Sequence, residues 1–328
     1  MNGTLYQPKR VVLFDPGIST LNRGDEIISD SARHQLEPLI RDAFTIGVST
    51  HIPLSNYSRF FGDVDLQLVL GSNLLRGRMN SLFRQWDVTP LSMHRVGRAV
   101  LVGAGWWQYG DELTRYTKWL YHRILSDRWA HSVRDSFTEK MLRSAGFDNV
   151  INTGCPSMWS LTPAHCARIP GHRAKRVVFT LTDYNKRPER DVKLVKALIS
   201  VYDEVYFWPQ GLGDLAYFES LDLDSSIRRL PSTLAAYDAY LASEPSTDFV
   251  GTRLHGGIRA LQHGHRTLIL AFDNRALEKS RDFNLPVLHE DDIDSLEDRL
   301  TSDWPTEIKI AEESIARWCD QFGIARDV

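Results

Sequence analysis

Short apolar runs recur along the chain, each followed by a stretch with helical spacing. Val11-Val12-Leu13-Phe14 predicts a first strand. Past the loop from Pro16 to Gly24, the residues Ile27, Ile28, Leu36, Leu39 and Ile40 fall at helical intervals. Leu66 to Leu70 and Ala99 to Val102 predict further strands, the first ending at Gly71 and the second at Gly103 and Gly105. Unbroken apolar runs suit strands buried on both faces, so the expected sheet is parallel with helices on each side. The pattern pauses at Thr162 to Arg176, which holds Pro163, Pro170 and Gly171, and then restarts. Val177 to Leu181, Val205 to Phe207 and Thr267 to Phe272 predict strands, and Asp191 to Tyr202 a helix. Ile308, Ile310, Ile315, Trp318 and Phe322 suggest a final amphipathic helix over 307–322. The expected organisation is therefore two successive Rossmann-like α/β domains, residues 1–165 and 176–328, with the last helix in the second.

Composition narrows the function classes. At 328 residues the chain is long enough for two ordinary domains. It is 42% hydrophobic and 25% charged, the profile of a folded protein. A net charge of −3 gives no general reason to expect nucleic acid. Three cysteines, Cys155, Cys166 and Cys319, show no paired metal spacing, which fits a reducing cytoplasm and no metal site. No run reaches the roughly 18 apolar residues of a membrane span, and the first ten residues are polar.

The segment Asp248 to Gly257 concentrates the candidate chemistry. Phe249-Val250 reads as a strand that ends at Gly251, and a helical pattern starts near His255. Arg253 and His255 thus fall at a helix N-terminus, where free N–H groups and the dipole favour an anion. Arginine grips phosphate or carboxylate through a planar fork, and histidine moves a proton near neutrality. Gly256 and Gly257 would let a ligand approach the backbone. Equally open on local grounds is a structural role, with Arg253 in an ion pair and His255 packed in the turn.

Three more segments complete an ordered series: Asn22-Arg23-Gly24-Asp25-Glu26, Ser132-Val133-Arg134-Asp135-Ser136 and Thr153-Gly154-Cys155-Pro156-Ser157. With Gly251-Thr252-Arg253-Leu254-His255-Gly256 this series resembles the polysaccharide pyruvyl transferase family. Two departures stand out: Cys155 where the family has Asp, and Gly71-Ser72-Asn73 where it has three glycines before Asn. The resemblance implies a GT-B-like fold of two Rossmann-like lobes facing a cleft, the N-terminal lobe on the acceptor side. It implies transfer of a pyruvyl group from phosphoenolpyruvate to a saccharide as a cyclic ketal, with no cofactor and no metal. Donor contacts fall on Arg134, Arg253, Leu254 and His255; the chemistry of the transfer then makes Arg253 a catalytic anion clamp and His255 the general acid or the group that stabilises the leaving phosphate. The acceptor is lipid-linked in many members, and peripheral attachment at the inner membrane face would follow.

On the acceptor side the candidates are Asn22, Asp25, Asn73, Trp106 and Trp107, each with a plainer alternative. Asp25 reads as a helix cap, Asn73 as a turn residue, and the tryptophans as core. Arg134 has Asp135 beside it as a ready ion-pair partner. Gln210 and Gly211 follow a strand and are candidates for the cleft from the second lobe; Lys279 could reach the donor, with a solvated helix face as its plainer reading. The rival function is a nucleotide-sugar-dependent GT-B glycosyltransferase. Retaining members of that class carry two glutamates separated by seven residues, a spacing this sequence lacks. A non-catalytic saccharide-binding protein is the remaining alternative.

Overall fold

The alternation of strands and helices is realised in the computed structural model, which describes residues 10–53, 64–82, 84–223 and 226–326. Its chain divides into two compact units. Unit 1 takes the described parts of 1–20, 28–159 and 310–328; unit 2 takes 21–27 and the described parts of 160–309.

In unit 1, β1 (Arg10–Asp15), β2 (Phe44–Ser49), β3 (Leu66–Leu70) and β4 (Val100–Val102) form a parallel sheet in the order β2-β1-β3-β4. Two further short strands, β5 (His131–Val133) and β6 (Val150–Asn152), pair in parallel. A single bridge between Ala104 and Val133 joins that pair to the strand β4 side. The period-two geometry of β1 sends Val12 and Phe14 into one core with Trp106 and Tyr121. Val11 and Leu13 enter the other core, with Trp159, Ile315 and Trp318.

The second of these cores corrects the expected domain assignment. Helix Glu312–Asp320 belongs to unit 1, where the Trp318 indole donates to the Ala130 carbonyl at 2.8 Å. The helix is also shorter than expected. Residues 304–309 are not helical: Trp304, Thr306 and Ile308 are buried while Pro305, Glu307 and Lys309 are exposed. The early helical run likewise divides, into Arg23–Gln35 and Glu37–Ile40, because Pro38 cannot continue a helix from upstream.

Unit 2 carries six parallel strands: β7 (Arg176–Thr180), β8 (Glu204–Phe207), β9 (Arg228–Arg229), β10 (Thr247–Gly251), β11 (Thr267–Ala271) and β12 (Val287–His289). Their order is β12-β11-β10-β7-β8-β9. The chain winds outward from β7 to β9, returns to the centre at β10 and winds outward again to β12. This is the doubly wound Rossmann order. Segment 162–176, expected as a linker, is part of this unit, with Cys166 and Ile169 buried. Among the described residues no helix is long and apolar enough to cross a membrane.

Candidate active site

Strand order in unit 2 reverses between β7 and β10, with Thr180 opposite Gly251. Residues leaving the carboxyl ends of those two strands therefore share one crevice, the place where doubly wound sheets take ligands. From β7 come Leu181, Thr182, Asp183 and Tyr184; from β10 come Thr252 and Arg253, followed by helix Leu254–Gln262. The Thr182 and Thr252 hydroxyls meet at 2.8 Å and tie the two segments together. Arg253 is the N-cap residue, its own N–H donating to Thr180 Oγ1 at 3.2 Å. Leu254 and His255 open the helix, both buried, so the positive end of its dipole lies beside the arginine.

Two carboxylates hold the Arg253 guanidinium. Asp214, completely buried, accepts from Nε at 3.0 Å and also from Nη2. Asp183 accepts from Nη2 at 2.9 Å. Beneath the plane, the Tyr184 ring centre lies 4.8 Å from Cζ, and the phenol oxygen accepts from Arg275 Nη2 at 2.6 Å. Among the described residues no acceptor meets Nη1. Burial opposes the charge of Arg253, but the Asp214 and Asp183 carboxylates outweigh it and hold the guanidinium above its ordinary value. Burial pushes the Asp214 carboxyl up, against the opposing pull of Arg253. The structural reading of Arg253 as an ion-pair partner is thus realised, with one edge of its fork still unspent.

Segment 21–27 braces this group. Asn22 forms an antiparallel bridge with Gly211, and Gln210 Nε2 donates to Asn22 Oδ1 at 3.0 Å. Arg23 N–H donates to the Gln210 carbonyl at 2.9 Å. Gln210 and Gly211 in turn donate their backbone N–H groups to Asp214 Oδ2, at 3.1 and 2.7 Å. A side chain at Gly211 would force Arg253 to shift, because a Cβ there would collide with Nη2. Asn22 and Asp25, expected on the acceptor side with the N-terminal domain, are therefore packed into unit 2. The capping role expected of Asp25 falls to Asn22, whose Oδ1 accepts from Gly24 N–H at 3.0 Å, because the helix starts at Arg23. Gly256 and Gly257 serve packing rather than ligand approach: added Cβ atoms would press on Gln210 and Phe249, and on Ile269 and Phe249.

Unit 1 gathers a second group. Arg134 follows β5, is buried, and donates from Nε to Asp135 Oδ2 at 2.8 Å. It also donates from Nη1 to Asn73 Oδ1 and from Nη2 to the Trp106 carbonyl at 2.9 Å. Asp135 caps the helix Ser136–Ala145 by accepting from Thr138 N at 2.7 Å. Asn73 is thus an arginine partner, and the neighbour Asp135 is the ion-pair partner that the sequence offered. Trp106 is corrected outright: its ring is fully buried, edge-on to Tyr121 with centres 6.3 Å apart. It can offer no face to a sugar. Trp107 is half-buried, with Arg76 Cζ 4.5 Å from its ring centre. Lys279, expected on a solvated face, is completely buried in unit 2.

The sequence reading missed Asp183, Tyr184 and Asp214. Asp183 and Tyr184 had a usable signal, since they leave the strand that restarts the pattern at Val177. Asp214 had only the Gly211-Leu212-Gly213 turn before it, and its partner lies 39 residues away.

The polysaccharide pyruvyl transferase family model matches residues 22–274. No curated relative matches the chain. Among solved structures, it is similar to Staphylococcus aureus MnaA in its structure with UDP, at 11% identity over 98% of each chain and a TM-score of 0.53. It is also similar to a Listeria monocytogenes protein described as a UDP-N-acetylglucosamine 2-epimerase, at 12% identity over 98% of each chain and a TM-score of 0.55. At such identities the likeness speaks for the fold, which is GT-B-like α/β with two Rossmann-like units.

Proposed function

The chain belongs to the polysaccharide pyruvyl transferase family, and from that premise we propose that it moves a pyruvyl group from phosphoenolpyruvate onto two hydroxyls of a saccharide. The observation carrying the reading is Arg253 at the strand-order reversal of unit 2, oriented by Asp214 and placed at a helix N-terminus. A bond-forming step on a doubly anionic donor needs a cation fixed in this way. The spare Nη1 edge takes a phosphate or carboxylate oxygen, and the first N–H groups of helix Leu254–Gln262 add donors of the same sign.

The chemistry then runs as follows. A proton is added to C3 of the enol, and C2 acquires cationic character. One acceptor hydroxyl attacks C2; the C2–O bond to phosphate breaks; the second hydroxyl closes the ketal. The two hydroxyls release two protons, of which one is accounted for on C3 and the other on the departing phosphate. His255, two residues from Arg253 and at the same crevice, is the proposed acid. The donor contacts proposed are Arg253, Leu254 and His255, together with Arg134; the reaction as proposed calls for no cofactor. Trp107 and Asn73 remain the proposed acceptor residues of unit 1. The acceptor class is a saccharide of a surface polysaccharide or its precursor.

Thermal shift of the wild type and Arg253→Ala, with phosphoenolpyruvate, inorganic phosphate and UDP in parallel, tests the reading. Stabilisation by phosphoenolpyruvate that disappears in Arg253→Ala is the expected result. Stabilisation by UDP alone would replace it with nucleotide-sugar chemistry.

A further inference from the structure

The two carboxylates on Arg253 are not equivalent. Asp214 is completely buried and accepts from five donors: Arg253 Nε and Nη2, and the N–H groups of Gln210, Gly211 and Asp183. Asp183 has a side chain 31% exposed, and among the described residues its carboxylate accepts only from Arg253 Nη2. Its backbone N–H, by contrast, is anchored on Asp214 Oδ1 at 3.1 Å. The Asp183 side chain can therefore turn into water without moving the chain that carries it, whereas Asp214 cannot leave.

We propose that Asp183 is the resting counter-anion of Arg253, occupying a phosphate- or carboxylate-binding position that the anionic donor takes over. The donor named here rests on the pyruvyl-transfer reading; the anion site itself does not. One guanidinium flanked by two carboxylates carries one negative charge too many to attract a further anion. Asp214 must stay to orient the fork, so the charge that yields is Asp183. Asp183, with its side chain 31% exposed, regains water when it leaves, so it is the more easily displaced of the two carboxylates. A phosphate or carboxylate able to engage Nη1 and Nη2 together offers a bidentate replacement, which a monatomic anion such as chloride cannot match. Asp183 thus works as a specificity-determining residue: it sets a threshold that favours ligands with two well-spaced anionic oxygens.

The test is calorimetric titration of the wild type, Asp183→Asn and the double variant Asp183→Asn/Arg253→Ala with inorganic phosphate and then phosphoenolpyruvate. Removing a like charge about 6 Å from the bound anion, at an effective dielectric of about 40, amounts to roughly a tenfold gain in affinity. We expect Asp183→Asn to bind phosphate about tenfold more tightly, and the double variant to lose that gain. A damaged fold would weaken binding, so tightening cannot come from misfolding. Equal or weaker binding in Asp183→Asn overturns the proposal, as does a gain that survives loss of Arg253. Should Asp183→Asn melt below the wild type, Asp183→Ala serves the same comparison. Tighter phosphate binding without any response to phosphoenolpyruvate would support the counter-anion role and fail the pyruvyl-transfer reading.

Discussion

Asp214 faces Arg253 edge to edge, taking Nε and Nη2 with its two oxygens, and both side chains are almost wholly withdrawn from water. Removing one charge from such a pair leaves the other buried and uncompensated, at a cost of about 3 kcal/mol or more. Asp214→Asn is expected to lose about that much stability in urea denaturation. Phosphate binding should weaken in the same variant, the opposite of the direction expected for Asp183→Asn.

Gly211 packs its bare Cα against the guanidinium of Arg253. Gly211→Ala must push Arg253 aside while leaving every charge in place. Displacement of about 1 Å at a reacting centre costs on the order of 100-fold in rate. A loss of that size in phosphoenolpyruvate-dependent turnover is expected, with the variant still folded by circular dichroism. Unchanged turnover would mean that Arg253 does not work from this position.

His131 gives unit 1 a pH dependence of its own. Its Nδ1 accepts from Leu101 N–H at 3.2 Å, its Nε2 meets the Ser126 carbonyl at 2.8 Å, and burial pushes the imidazole down to about 4. The unfolded chain binds a proton near pH 6.5, which the folded one refuses until about pH 4. Stability therefore falls as the pH drops through that window and levels off below it, by about 3 kcal/mol in all. His131→Gln should flatten this slope in melts taken between pH 4 and 7.

The neighbouring tryptophans should separate cleanly. Trp106→Ala empties a fully buried site and is expected to cost about 3–5 kcal/mol. Trp107→Ala removes a half-buried ring lying against Arg76 and should cost about 1 kcal/mol or less. Melting curves distinguish them. Saccharide KM in the second variant shows whether Trp107 meets the acceptor.

Much of this could be read in the sequence where a rule was local. The apolar runs that became β1, β3, β7 and β11 are buried along most of their length, and buried parallel strands announce themselves by composition. The short strands β5, β6, β9 and β12, of two or three residues each, carry too little pattern to stand out. The start of the last helix, expected at Glu307 and found at Glu312, was misread because Ile308 and Ile310 satisfy either period, and the buried Trp304 and Thr306 before them decide for alternation. At the site, Arg253 and His255 were legible from the strand-to-helix turn that presents them. Asp214 was not, because its meaning arises only when the Rossmann winding brings two distant turns to one crevice.

The interleaving of segments bears on synthesis. Residues 21–27 leave the ribosome long before the rest of unit 2 and must wait, unfolded or loosely held, for Gln210 and Gly211. Ile315 and Trp318 complete the core behind Val11 and Leu13 only after all of unit 2 has been made. Neither unit, then, is a contiguous gene segment. Recombination that exchanged the first half of this chain with that of a distant homologue would sever the bond between Asn22 and Gln210 and the packing of Trp318. Any exchange of parts has to respect both of these seams at once.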